Sequence, residues 1–202
     1  MRDNGLVNNA ERDVEAAAAA AVPPAAARPR RIGLFLAVAA VALALDLASK
    51  IAVAVNLGGE HPPIRVLGGA IYLTETRNSG AAFSVGTGAT IVLTVLALAV
   101  VGVILRMASR MRSTGWAVAL GLVLGGALGN LVDRIFRSPG VGRGHVVDWI
   151  SLFAEDGHVW PIFNLADSAI VCGAVLLAVL ALCGIDIDGR GTRVRRGGHR
   201  NE

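Results

Sequence analysis

Cysteine is nearly absent, and so is every arrangement that would use it for chemistry. The 202-residue chain has two, Cys172 and Cys183, set 11 positions apart in one apolar run. At about 1.5 Å of rise per helical residue they sit roughly 16 Å from each other, too far to bridge. They read as small apolar fillers. No Cys/His cluster has metal-ligand spacing, so neither a metal nor another cofactor is expected. No hydroxyl or thiol stands in a nucleophile motif beside a histidine, and His145 and His158 read as structural or surface residues in loops. Charge is scarce as well, at 17% of the chain, and no internal repeat is visible. What the chain does have is hydrocarbon. Hydrophobic residues make up 54% of it and the mean hydropathy is +0.60, too apolar for a soluble domain of this length.

Four windows, about 32–56, 89–106, 115–135 and 162–184, are long and apolar enough to cross a bilayer as helices. The first follows Arg28, Arg30 and Arg31 as a signal peptide would, yet it runs on through Asp46 and Lys50 to Val55 without a cleavage site, and is therefore read as a retained span. Basic residues crowd into 1–31, 106–114 and 185–202. The intervening loops hold only Arg65 and Arg77, then Arg134, Arg137 and Arg143. That bias predicts cytoplasmic termini. It also explains the net charge of +4 and the pI near 10.0 through topology and anionic membrane lipids, without nucleic acid as a partner. The Ala/Pro-rich segment within 1–31 and the Gly/Arg-rich 185–202 read as disordered cytoplasmic tails around a four-span body at 32–184.

The two outer loops have strand character. Residues 70–77 alternate in part, and Val146, Asp148 and Ile150 share a face if extended. A small sheet on the membrane surface is expected. Polar residues at membrane depth are costly there and point to function by default. Asp46 and Lys50, at i and i+4 in the first span, form a structural ion pair. Gly121, Gly125 and Gly129 make a small-residue face that admits a neighbouring helix. Asn130, Asp133 and Arg134 follow it, with Asp133 and Arg134 read as a charge-compensated pair. Asn164 and Asp167 open the last span, and Asp148 lies upstream in an apolar loop. An aspartate at a helix start is often only a cap. Two carboxylates in one outer-leaflet site suggest more, because they cannot both ionise cheaply and so share a proton. That arrangement activates water against an amide. A proton-coupled transporter would also place carboxylates in spans, although four spans without repeats are few for alternating access. A membrane scaffold would leave Asp148 and Asp167 without purpose.

The segments "DLASK", "RNSGAAFS", "GGALGNLVDRI", "GHVVDWI" and "FNLADSAI", in that order, closely resemble those of the bacterial lipoprotein signal peptidases, the signal peptidase II family of aspartic peptidases. The resemblance covers roughly 32–184. It implies an all-α membrane fold, a four-transmembrane-helix bundle with a small extracytoplasmic β-cradle and a short surface helix. Asp148 and Asp167 would be the catalytic pair. Asn78, Gly80, Asn130, Arg134 and Asn164 would line the substrate site, and Asp46, Lys50 and Asp133 would give structural support. The implied reaction releases the signal peptide from diacylglyceryl-modified prolipoproteins by cleavage N-terminal to the lipidated cysteine, at the outer face of the cytoplasmic membrane. Globomycin, a cyclic peptide antibiotic, would bind in the same site. The loop "FRSPGVGRG" is longer than many family members have.

Overall fold

In the computed structural model, residues 29–59, 61–80 and 86–189 are described. The expected tails at 1–28 and 190–202 and the "AAFS" of the second motif lie outside them. Four helices, α1 (Ile32–Asn56), α2 (Gly86–Ala108), α3 (Thr114–Phe136) and α4 (Leu165–Leu182), are long and apolar enough to cross a membrane. Even α4, with 18 residues, is about 27 Å long, close to a hydrocarbon thickness of about 30 Å. Their outward faces carry exposed Leu36, Val41, Leu45, Val92, Leu96, Val171 and Val175. Such surface is disfavoured in water by about 25 cal/mol per Å² and is at home against lipid tails.

Helix α3 is the hub, with the other three helices packed on it and α1 also touching α4. Its small residues set how close they come. A Cβ on Gly125 would lie 2.6 Å from the Ala39 carbonyl oxygen of α1, and one on Gly126 would lie 2.4 Å from the Ala166 carbonyl oxygen of α4. The glycine face anticipated from spacing therefore receives α1, and the neighbouring Gly126 receives α4. At one end of the bundle, Phe35, Ile104, Met111, Leu120 and Leu124 form an apolar core. There Ser113 caps α3 by accepting from Trp116 N. Residues expected to begin a free tail at 185 instead fold back, since Ile185 O accepts from Trp116 Nε1 at 2.7 Å and Ile187 O from Ser113 N at 3.0 Å.

At the other end lies an antiparallel sheet of β1 (Ile64–Val66), β2 (Ile71–Asn78) and β3 (Val146–Leu152), in that order. A single 3-10 turn, Leu67–Gly69, joins β1 to β2. Among the described residues it is the nearest counterpart of the short surface helix the resemblance implied. The β2–β3 register is Leu73 against Ile150 but Thr76 against Asp148, so β2 carries one extra residue between them. This bulge decides which side chain reaches Asp148. A one-residue slip exchanges the faces of a strand, and here it puts Asn78, in place of Arg77, across from Val146 and diagonal to Asp148. Beyond β3, Phe163 exchanges backbone hydrogen bonds with Ile150, at 2.8 and 3.0 Å. That bridge keeps the chain extended past Pro161, so α4 starts at Leu165, three residues after the expected 162.

Candidate active site

Asp148 is a strand residue with 2% of its surface exposed. Its Oδ2 accepts from Asn78 Nδ2 at 2.8 Å and its Oδ1 from Asn164 Nδ2 at 2.6 Å. Burial pushes its carboxyl up to about 6. The Asn78 hydrogen bond opposes that rise, the neighbouring Asp167 charge adds to it, and Asn164 and Lys50 oppose it further.

Asp167 is held by the start of α4. Asn164 is the N-cap and Asp167 stands three residues on, forming a reciprocal capping box: Asp167 N donates to Asn164 Oδ1 at 2.9 Å, and Asn164 N donates to Asp167 Oδ2 at 3.3 Å. Asp167 Oδ1 accepts from Asn130 Nδ2 at 2.8 Å. Asn164 is fully buried and touches both carboxylates, that of Asp148 with its side-chain NH2 group and that of Asp167 with its backbone N–H. It is the link through which a strand residue and a helix residue become one site.

The three asparagines share a logic. An amide offers an acceptor oxygen on one side and a donor nitrogen on the other, so whatever claims the oxygen decides where the nitrogen points. Asn78 Oδ1 is claimed by Gly80 N at 2.7 Å, Asn164 Oδ1 by Asp167 N, and Asn130 Oδ1 by Lys50 Nζ at 3.0 Å. Each claimant is a pure donor. Every Asn NH2 group is therefore turned toward an aspartate of the pair. Gly80, at φ +88°, makes the tight turn that brings its amide back to Asn78.

Arg134 is 8% exposed, and its Nη1 is buried without a hydrogen-bond partner among the described residues. The charges of Asp148, Asp167 and Asp133 all act on it. The expected Asp133–Arg134 pair does not form. Adjacent helical residues point about 100° apart, whereas residues four apart face one another, and Asp133 accordingly pairs with Arg137 and, across the bundle, with Lys50 at 3.0 Å. Asp46 and Lys50 do make an ion pair, at 2.7 Å with both side chains fully buried. Arg137 is thus a member of the polar cluster that sequence reasoning missed, although its i+4 spacing from Asp133 was readable. His145 and His158 make no contact with the pair: His158 faces the exposed Asp156 at 2.5 Å, and His145 N donates to Ser138 O at 3.1 Å.

The arrangement joins two carboxylates, one of them driven toward neutrality, beside a buried cationic donor with unused capacity. Comparison with known proteins identifies the family. A family model described as signal peptidase (SPase) II matches residues 38–183. The chain is 51% identical over 165 residues to a lipoprotein signal peptidase of Mycobacterium avium, covering 82% of this chain and 87% of that protein. It is also 51% identical over 160 residues to one of Rhodococcus jostii, covering 79% and 77%. A bacterial membrane enzyme solved by the in meso method at 1.9 Å superposes with a TM-score of 0.67 at 25% identity, covering 77% of this chain and 97% of that one. All five motifs and both aspartates of the pair lie within or beside the matched span, and the chain belongs to the signal peptidase II family.

Proposed function

We propose that the protein cleaves diacylglyceryl-modified prolipoproteins N-terminal to the lipidated cysteine, with Asp148 and Asp167 as a catalytic dyad. The observation that carries this reading is the single buried Asn164, hydrogen-bonded to both aspartates. Asp148, raised to about 6, is the partner that holds the shared proton. Asp167 takes a proton from water as the water oxygen attacks the scissile carbonyl carbon, while Asp148 gives its proton to the carbonyl oxygen. When the tetrahedral intermediate collapses, the amide nitrogen leaves with the proton held by Asp167, and Asp148 recovers one from the hydroxyl that becomes the new carboxyl group. The pair ends as it began.

Arg134 Nη1, buried and unpartnered, donates to a substrate peptide carbonyl. Asn78, Gly80 and Asn130 border the same space, and the second hydrogens of the Asn78 and Asn130 NH2 groups are available to the peptide; Asn164, fully buried, spends its NH2 group on Asp148, on Asn130 Oδ1 at 3.2 Å and on Val147 O at 3.4 Å, and acts on the substrate through the aspartates it holds. A cyclic peptide of the globomycin type would compete there. With both termini cytoplasmic, the sheet end of the bundle faces outward, where a diacylglyceryl chain in the outer leaflet presents the bond beside it. The test is cleavage of a synthetic diacylglyceryl prolipoprotein by purified protein. Asp148→Asn and Asp167→Asn should each lower turnover by at least about 1,000-fold while the protein stays folded. Substantial activity in either variant would remove that residue from the chemistry.

A further inference from the structure

Beneath the two aspartates lies a fully buried lysine whose contacts all lead to them. Lys50 Nζ has three N–H groups and three oxygens within 3.0 Å: Asp46 Oδ2 on its own helix at 2.7 Å, and Asp133 Oδ2 and Asn130 Oδ1 on α3, both at 3.0 Å. Each of these partners then reaches toward the dyad. Asp46 Oδ1 accepts from Ala166 N at 2.9 Å, the amide just before Asp167. Asp133 Oδ2 accepts from Val147 N at 3.2 Å, the amide just before Asp148. Asn130 Nδ2 donates directly to Asp167.

We infer that Lys50 is a positioning residue: by yoking Asp46 to Asp133 it sets the separation and facing of Asp148 and Asp167. The inference rests on the dyad reading above. A structural ion pair needs one carboxylate, and α1 could be held to α3 by any cation that neutralised Asp46. What marks Lys50 is that both of its carboxylates spend an oxygen on the backbone next to an aspartate of the dyad, one on a strand and one on a helix. Those two segments otherwise meet at Asn164 and at the Phe163 bridge. The cluster is balanced in charge, because Asp46 and Asp133 are matched by Lys50 and by Arg137, which pairs with Asp133. Gly129 leaves the room it needs, since a Cβ there would fall 2.3 Å from Asp46 Oδ2. An arginine, planar and longer, cannot put one compact point charge among the same three oxygens.

Two variants test this. Asp46→Asn with Lys50→Met removes the ion pair without leaving an unmatched buried charge, and the new amide oxygen can still accept from Ala166 N. Lys50→Arg keeps the charge and changes the spacing, so it remains informative if the first variant does not fold. In both, kcat on a synthetic diacylglyceryl prolipoprotein should fall by about 100-fold, with KM within about threefold and a melting temperature close to wild type. Wild-type kcat in either folded variant would overturn the inference. So would a loss of activity that merely tracks a lowered melting temperature, which marks Lys50 as a packing residue. Asp148→Asn and Asp167→Asn are measured alongside. If either of those cleaves, the dyad reading itself has failed, and that outcome is recognisable whatever the lysine variants do.

Discussion

Removing the Asn78 amide should move the pH dependence of cleavage in a calculable direction. Asn78 Nδ2 donates to Asp148 Oδ2 at 2.8 Å and favours the ionised carboxylate, opposing the burial that has raised Asp148 to about 6. A hydrogen bond to a charged group is worth about 1.5–3 kcal/mol, and one pKa unit corresponds to about 1.4 kcal/mol. Asn78→Ala should therefore raise Asp148 by about one to two units. In the dyad the group holding the proton governs the alkaline limb of kcat/KM, which reports the free enzyme. That limb should shift from about 6 in the wild type to about 7–8 in the variant, while the height of the profile falls because Asn78 also borders the substrate. Asn78→Asp, which adds a negative charge beside Asp148, should shift it further. The assay is initial-rate cleavage of a lipidated peptide over a buffer series from about pH 4 to about pH 9, the range that brackets both limbs. An alkaline limb that stays in place or moves down would refute the assignment of Asp148 as proton holder. That result, a lower profile of unchanged shape included, would leave Asn78 a substrate contact alone.

Two other changes separate packing from chemistry. Gly129→Ala would bring a methyl within 2.3 Å of Asp46 Oδ2. It should cost about 1–3 kcal/mol and lower both melting temperature and activity, whereas alanine at Gly102, where a Cβ meets nothing within 4 Å, should leave both unchanged in thermal unfolding and cleavage assays. Asn164→Ala removes the α4 cap and the contact to Asp148 together, costing about 1 kcal/mol for the cap as well as catalytic rate. Asn164→Ser can keep the cap but not the Asp148 donor, so it should restore most of the melting temperature and little of the turnover.

Much of this site was readable in the chain before its geometry was known. Asp148 and Asp167 stood out because each is an ionisable group in apolar surroundings, and four long apolar windows limit the architectures available. Strand character around 70–77 and 146–150 came from partial alternation. The contacts that organise the site were less accessible. The bulge that turns Asn78 toward Asp148 depends on a register between strands far apart in sequence. The Lys50–Asp133 pair joins residues on different helices, and only the close approach of α1 to α3 brings them together. The Asp133–Arg134 expectation took neighbours in sequence for neighbours in space, although the i+4 rule pointed to Arg137. Likewise, "NLAD" at 164–167 has the spacing of a capping box, so the start of α4 at Leu165 was within reach. The apolar window opens at 162, but Phe163 is held extended by its pairing with Ile150 of β3.

The contact between Asp46 and the Ala166 amide ties the first span to the last. A ribosome that has made α1, α2, α3 and the sheet has already made Asp148, but neither Asp167 nor the amide that Asp46 is to hold. Until α4 has emerged and docked, no shorter chain carries a dyad. If Asp148 and Asp167 are the catalytic pair, proteolytic competence therefore waits for the last span, and a chain that stops short of α4 cannot cut.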